Sequence, residues 1–200
     1  MHRLKKLLQK IHPFNEEIPQ TFFEHLHTLK LAPGDEIPEV VPNKSWIFVE
    51  DGFLLLRQRT AGRWICGNIY FEGTSTVFCN AGVHELKIDR FQVKAVEHST
   101  ILYLTPADQA NVRPIYPLFQ NSRAILNRRS YSKHLKRSAI LEVRIQDRIR
   151  FVEKSFPVLF RAPAPDLAQI LGIKSKTLQM ALISAQKKWR SKRMPNNKIG

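Results

Sequence analysis

Between Pro165 and Lys188 the chain reads PDLAQILGIKSKTLQMALISAQKK, two apolar-periodic runs separated by one glycine. Two helices that cross steeply over a very short turn make three demands, and this stretch meets each of them. The first helix needs a small residue at the crossing, and Ala168 stands there. Four positions later the turn needs a residue tolerant of positive φ, where any side chain costs on the order of 1 kcal/mol, and Gly172 stands there. The buried seam needs apolar residues, which Leu167, Leu171, Ile173, Leu178 and Ala181 supply in order. Pro165 suits a first helical turn, Asp166 complements the helix dipole, and Ser175 is placed to cap the second helix. The spacing predicts a helix-turn-helix.

The charge distribution says what such a motif would meet. Residues 1–120 hold 13 Lys+Arg against 13 Asp+Glu, whereas residues 121–200 hold 19 against 4, so the whole net charge of +15 lies in the last 80 residues. A solvated helical face mixes both signs, and a single-sign domain marks a polyanionic partner. On the second helix the outward N-terminal residues are Lys174, Ser175, Lys176, Thr177 and Gln179, the end that meets base edges in a DNA groove. Lysine can donate to guanine O6/N7, Gln179 to adenine, and Thr177 can reach phosphate or a thymine methyl. Lys187, Lys188 and Arg190, followed by Lys192 and Arg193, suit phosphate contacts that set register without reading sequence.

Upstream the texture differs. MHRLKKLLQKIHPF is amphipathic through Leu4, Leu7, Leu8 and Ile11: not a secretory signal but a helix for packing on its neighbour, with a transit peptide or membrane-surface helix as the alternative. A second short helix is expected over Thr21–Leu29. From about residue 28 to 105, short apolar runs recur between Gly, Pro and Asn: SWIFVEDGFLLLRQ reads as a hairpin turning at Asp51-Gly52, and RWICGNIY, STVFC, FQVKAVE and TILYL follow. That series predicts an antiparallel β-roll or barrel. After Pro114 and Pro117 a long helix is expected over Leu118–Ser138, with Leu118, Ile125 and Leu135 sharing a face. Another follows in ILEVRIQDRIRFVEKSF, ended by Pro157. The expected fold is therefore α+β: residues 1–116 form helices and a β-roll or jelly-roll, 117–138 a long helix, and 139–200 a helix-turn-helix domain with a basic tail.

This order of parts resembles the Crp–Fnr family of bacterial transcription regulators, roughly from Phe22 to Lys188. The likeness is best at LAPGDEI, at WIFVEDGFLLLRQ and at the helix-turn-helix. The resemblance implies a cytoplasmic homodimer joined through the long helix, a two-fold symmetric duplex DNA site, and contact with RNA polymerase. Members that bind cyclic nucleotides carry a Gly-Glu pair for the ribose and an Arg-Ser/Thr pair for the phosphate. Here Glu72-Gly73 stands in reversed order and Arg90 is followed by Phe91, with Thr74, Ser75 and Thr76 as hydrogen-bonding neighbours. These six residues, Glu72 to Thr76 and Arg90, make a candidate effector pocket for which cyclic nucleotide is not the expected ligand. The N-terminal cysteine cluster of iron–sulfur members is missing, and Met180 stands where many members place a guanine-reading arginine.

Other classes find less support. Cys66 and Cys79 have neither Cys-x-x-Cys spacing nor a second pair, so two reduced thiols are expected and no structural metal. A cupin-like metal-dependent enzyme would need clustered histidines on strands. His25 and His27 precede the β region, His84 and His98 are isolated, and no catalytic residue set or cofactor motif is present. A non-specific nucleic-acid-binding protein remains the main alternative, because charge alone does not separate it from a sequence reader. No apolar run reaches the ~20 residues of a membrane span, so no membrane partner is expected.

Overall fold

The computed structural model describes residues 2–11, 18–79, 81–83, 88–181 and 183, with backbone alone at 81–83, 88–89 and 131–138. The chain divides into two compact units, Met1–Arg137 and Ser138–Gly200.

The first unit is built on two four-stranded antiparallel sheets. Its strands are β1 (His27–Leu31), β2 (Trp46–Asp51), β3 (Phe53–Thr60), β4 (Arg63–Phe71), β5 (Ser75–Val77), β6 (Ala81–Val83), β7 (Ile88–Ala95) and β8 (Ser99–Leu104). One sheet has the order β1-β8-β2-β5 and the other β4-β3-β7-β6. Between them lies a core of Leu31, Ile47, Val49, Leu54, Tyr70, Val93, Ala95 and Ile101. A second core covers the outer face of the first sheet, where Trp46, Phe48, Leu102 and Leu104 meet helical Leu4, Leu8, Phe22, Val112 and Phe119, and Tyr116 just after Ile115. Strand β2 explains its own composition. Trp46 and Phe48 point to the helices while Ile47 and Val49 point to the other sheet, so its first five residues are all buried.

Asp51-Gly52 is not the turn of a hairpin, contrary to the sequence expectation. Strand β2 pairs with β8 and β5, and β3 pairs with β4 and β7, so the chain crosses here from one sheet to the other. Gly52 has φ +99°, and a Cβ on it would lie 2.6 Å from the Ser99 backbone. The corner therefore needs both the conformation and the missing side chain. Ser99 completes it by accepting the Phe53 N–H at 3.2 Å and donating to the Glu97 carbonyl at 2.8 Å.

The helices of this unit are α1 (His2–Ile11), α2 (Gln20–Glu24), α3 (Pro106–Ile115) and the first part of α4 (Phe119–Glu142). The helix expected over Thr21–Leu29 stops at Glu24, because Thr28 to Leu31 pair with Ser99 to Leu102 on β8, and cross-strand pairing outweighs a short helical pattern. Helix α1 buries Leu4 and Leu8, and the Glu50 carboxylate of β2 accepts the N–H groups of Arg3 (2.6 Å) and Leu4 (3.0 Å). A side chain from a distant strand thus caps α1. Helix α3 begins at a capping box, Thr105 and Asp108 exchanging side-chain and backbone bonds, with Pro106 at its first position.

In the second unit α4 ends at Glu142. A 3-10 turn (Ile145–Asp147), α5 (Arg148–Ser155), a second 3-10 segment (Pro157–Arg161) and α6 (Ala164–Leu171) follow. The single helix expected from Ile140 to Phe156 is interrupted at Arg144, whose ψ of 138° is extended. Buried Ile140, Val152, Leu159, Leu167, Ala168, Ile170, Leu171 and Leu178 fill this unit.

Candidate nucleic-acid interface and β-roll cavity

Helix α6 opens with Pro163, Ala164 and Pro165, where missing N–H groups do no harm, and Asp166 lies in its first turn. It ends at Gly172, with φ 60° and ψ 39°. The Ile173 N–H donates to the Ala168 carbonyl at 3.0 Å and the Gly172 N–H to the Gln169 carbonyl at 3.1 Å, the bonds of a Schellman motif around a left-handed glycine. Residues 175–181 are helical again, so three residues, Gly172 to Lys174, separate the two helical segments. The Leu178 N–H donates to the Lys174 carbonyl at 3.1 Å, which puts Lys174, and not Ser175, at the cap position. Leu178 is fully buried, while Lys174, Ser175, Lys176, Thr177, Gln179 and Met180 are all exposed. One helical face thus holds the seam and the other offers two ammonium groups, two hydroxyls and an amide. Lys187, Lys188, Arg190, Lys192 and Arg193 lie outside the described residues, as does His84.

Beside the turn sits a group that no sequence motif marks. Arg148 donates from Nε to the Val143 carbonyl (2.9 Å) and from Nη2 to the Leu141 carbonyl (2.8 Å). Its Nη1 donates to the carbonyls of Leu171 (2.7 Å) and Gly172 (3.2 Å). Nothing in the sequence signals such a residue, since its acceptors are all main chain.

In the first unit the six residues of the candidate effector pocket do not converge. Gly73 forms the β4–β5 turn at φ +76°, donating its N–H to the Val49 carbonyl at 2.9 Å, and half-buried Glu72 precedes it. Thr74 closes the same turn, its hydroxyl donating to the Phe71 carbonyl at 2.6 Å and accepting the Phe71 N–H at 3.0 Å. Ser75 faces α4: its hydroxyl donates to Asn127 Oδ1 at 2.7 Å and its N–H to Ser130 Oγ at 2.8 Å. Arg90 is exposed on β7, opposite Arg59 on β3. Of the six, Thr76 alone lines a cavity of about 130 Å³ between the sheets, with Ile47, Leu56, Tyr70, Cys79 and Val93 among its walls. The lining is uncharged. Burial pushes the Tyr70 phenol pKa up, against weaker opposing hydrogen bonds to Thr76 and Asn68.

Helix α4 meets the β-roll through a face that the sequence reading did not single out. Phe119, Ser122, Leu126 and Ser130, at steps of three, four and four, are buried, whereas Ile125 is 38% exposed. Asn127 Oδ1 also accepts the Trp46 indole N–H at 3.4 Å. The signal is present as small polar residues, Ser122, Asn127 and Ser130, placed at helical spacing beside the apolar Phe119 and Leu126. His25 and His27 gather round Asp108, at 3.8 and 2.9 Å. Among the described residues no group of three or more His, Cys, Asp and Glu could hold a metal ion.

These parts, a two-sheet β-roll with helices on one face, a long helix and a compact helical unit, make up the Crp–Fnr type of fold. Solved structures of that type match the chain over most of its length. A mutant of CooA from Carboxydothermus hydrogenoformans superposes with a TM-score of 0.60 at 15% identity, covering 91% of this chain and 84% of that one. FixK2 from Bradyrhizobium japonicum gives 0.60 at 12% identity, covering 82% and 85%. TTHA1359, a transcriptional regulator of the CRP/FNR family from Thermus thermophilus, gives 0.53 at 13%, covering 81% and 87%. No family model matches the chain, and no curated protein matches it by sequence. Among the described residues no helix is long and apolar enough to cross a membrane.

Proposed function

We propose that the chain is a sequence-specific, DNA-binding transcription regulator of Crp–Fnr type that acts as a cytoplasmic homodimer and is not an enzyme. The observation that carries this reading is the exposed face of residues 174–180 over buried Leu178, three residues after α6, in a region holding the whole +15 charge. In this reading Ala168 and Gly172 set the crossing of a helix-turn-helix. Lys174, Ser175, Lys176, Thr177 and Gln179 face the major groove, while Lys187, Lys188 and Arg190 contact phosphate. Residues 1–116 form the sensor part, 117–138 the dimerisation helix with Ile125 on its open face, and 139–200 the DNA-binding part. RNA polymerase is the partner that the fold relatives' role brings with it.

Effector control, if the β-roll provides it, works through a molecule other than a cyclic nucleotide. Cyclic phosphate needs a cation or a ring of donors, and the cavity's lining is uncharged and mostly apolar. A small apolar molecule with one hydroxyl, placed against Tyr70 and Thr76, fits its chemistry.

Gln179→Ala and Lys188→Ala test the reading on duplexes that differ at one base pair. Gln179→Ala should change preference at a single position by roughly 1–3 kcal/mol. Lys188→Ala should weaken all duplexes about equally and flatten the salt dependence. Equal losses on every duplex for Gln179→Ala would contradict a base-reading role.

A further inference from the structure

We propose that Arg148 is the positioning residue that fixes the Gly172 turn, and with it the second helical segment, against the end of α4. The proposal rests on the DNA-binding reading for its consequence, though not for its geometry.

Four carbonyl oxygens from two helix ends converge on one guanidinium. Leu141 and Val143 belong to the end of α4, and Leu171 and Gly172 to the end of α6, with donor–acceptor distances of 2.7 to 3.2 Å. Helix C-terminal carbonyls lack intrahelical donors and carry partial negative charge, so a single cation satisfies two helix ends at once. Arginine alone has the planar fork for this, since a lysine ammonium presents donors from one point.

Two further observations separate this role from blander ones. Arg148 is the first residue of α5, where the helix dipole disfavours a cation, so its place is not explained by stabilising its own helix. A Cβ on Gly172 would lie 2.9 Å from Arg148 Nη1 and 3.2 Å from Leu141 Cδ2, so the glycine also makes room for the fork. Nor is Arg148 placed as a phosphate contact. Nε, Nη1 and Nη2 are all engaged with main-chain carbonyls, which leaves no bidentate face for an anion.

Arg148→Gln and Arg148→Lys in the full chain test this by two readouts. In hydrogen exchange, Arg148→Gln should speed exchange at the Ile173 and Leu178 amides by about tenfold or more, with Arg148→Lys intermediate. Unchanged exchange in both variants would overturn the proposal whatever the protein does with DNA. In duplex titrations, Arg148→Gln should lose about tenfold or more on a duplex enriched by the wild type and under about threefold on a scrambled one, with an unchanged salt slope. Equal losses on both duplexes with a slope shallower by about one would make Arg148 a phosphate contact instead. Should Arg148→Gln fail to unfold cooperatively, Arg148→Lys carries both measurements. A wild type that enriches no duplex would contradict the proposed function, and the exchange result would still decide the clamp.

Discussion

Asn127→Ala probes the contact through which the β-roll holds the long helix. Asn127 Oδ1 accepts from Ser75 Oγ at 2.7 Å and from the Trp46 indole at 3.4 Å, and both donors belong to buried residues. Deleting the amide leaves two polar hydrogens facing a site without an acceptor. A buried group stripped of its partner costs about 1–3 kcal/mol, and the 3.4 Å bond lies at the weak end of that range. The expected loss is ~2–4 kcal/mol for Asn127→Ala and ~1–2 kcal/mol for Ser75→Ala, which removes one donor and leaves Asn127 bonded to the indole. The two should not add, because they share one bond. Urea unfolding followed by tryptophan emission reads this directly, since Trp46 is at the contact. The transition of the first unit is the relevant one, because the chain has two units. A loss under ~0.5 kcal/mol for Asn127→Ala, or additive losses in the double variant, would refute the reasoning.

Gly172→Ala should destabilise the second unit by ~2–4 kcal/mol, from left-handed strain and the displaced Arg148 fork, and calorimetry that shows an unchanged second unit would place the turn elsewhere. Acid stability follows from Glu50. Burial alone would raise its pKa, but the Arg3 N–H, the positive charge of the amino terminus and the Leu4 N–H together outweigh this and hold it below the ordinary carboxylate value. A lowered folded pKa gives stability that is present above the unfolded value and is lost as pH falls through the folded one. The first unit should therefore lose stability from about pH 5 downward, and Glu50→Gln should flatten that dependence; identical pH profiles for the two proteins would count against it.

Local chemistry was legible in the sequence and shared geometry was not. The alternation of Phe91, Val93 and Ala95 marks a half-buried strand, and β7 is one. Leu4 and Leu8 mark the buried stripe of α1 by spacing alone. SWIFVEDGFLLLRQ misled because a hairpin and a corner between sheets both ask for Asp-Gly; only the Ser99 backbone beside Gly52, 47 residues downstream, tells them apart. Strand β2 shows the same limit, since burial on both faces erases the period that separates strand from helix. TPAD at Thr105–Asp108 is a readable start for α3, because a threonine and an aspartate three apart can exchange capping bonds. In the candidate site, Thr74 and Ser75 looked like donors for a ligand, yet their hydroxyls serve a β-turn and α4. Arg148 could not have been found, because main-chain acceptors have no sequence.

Selection from a randomised duplex pool by the purified full chain at near-physiological salt bears most directly on the proposed function. An inverted repeat with half-sites about one helical turn apart is the predicted result for a dimeric reader. Strong retention of DNA with no enriched sequence would contradict it and leave a general polyanion binder.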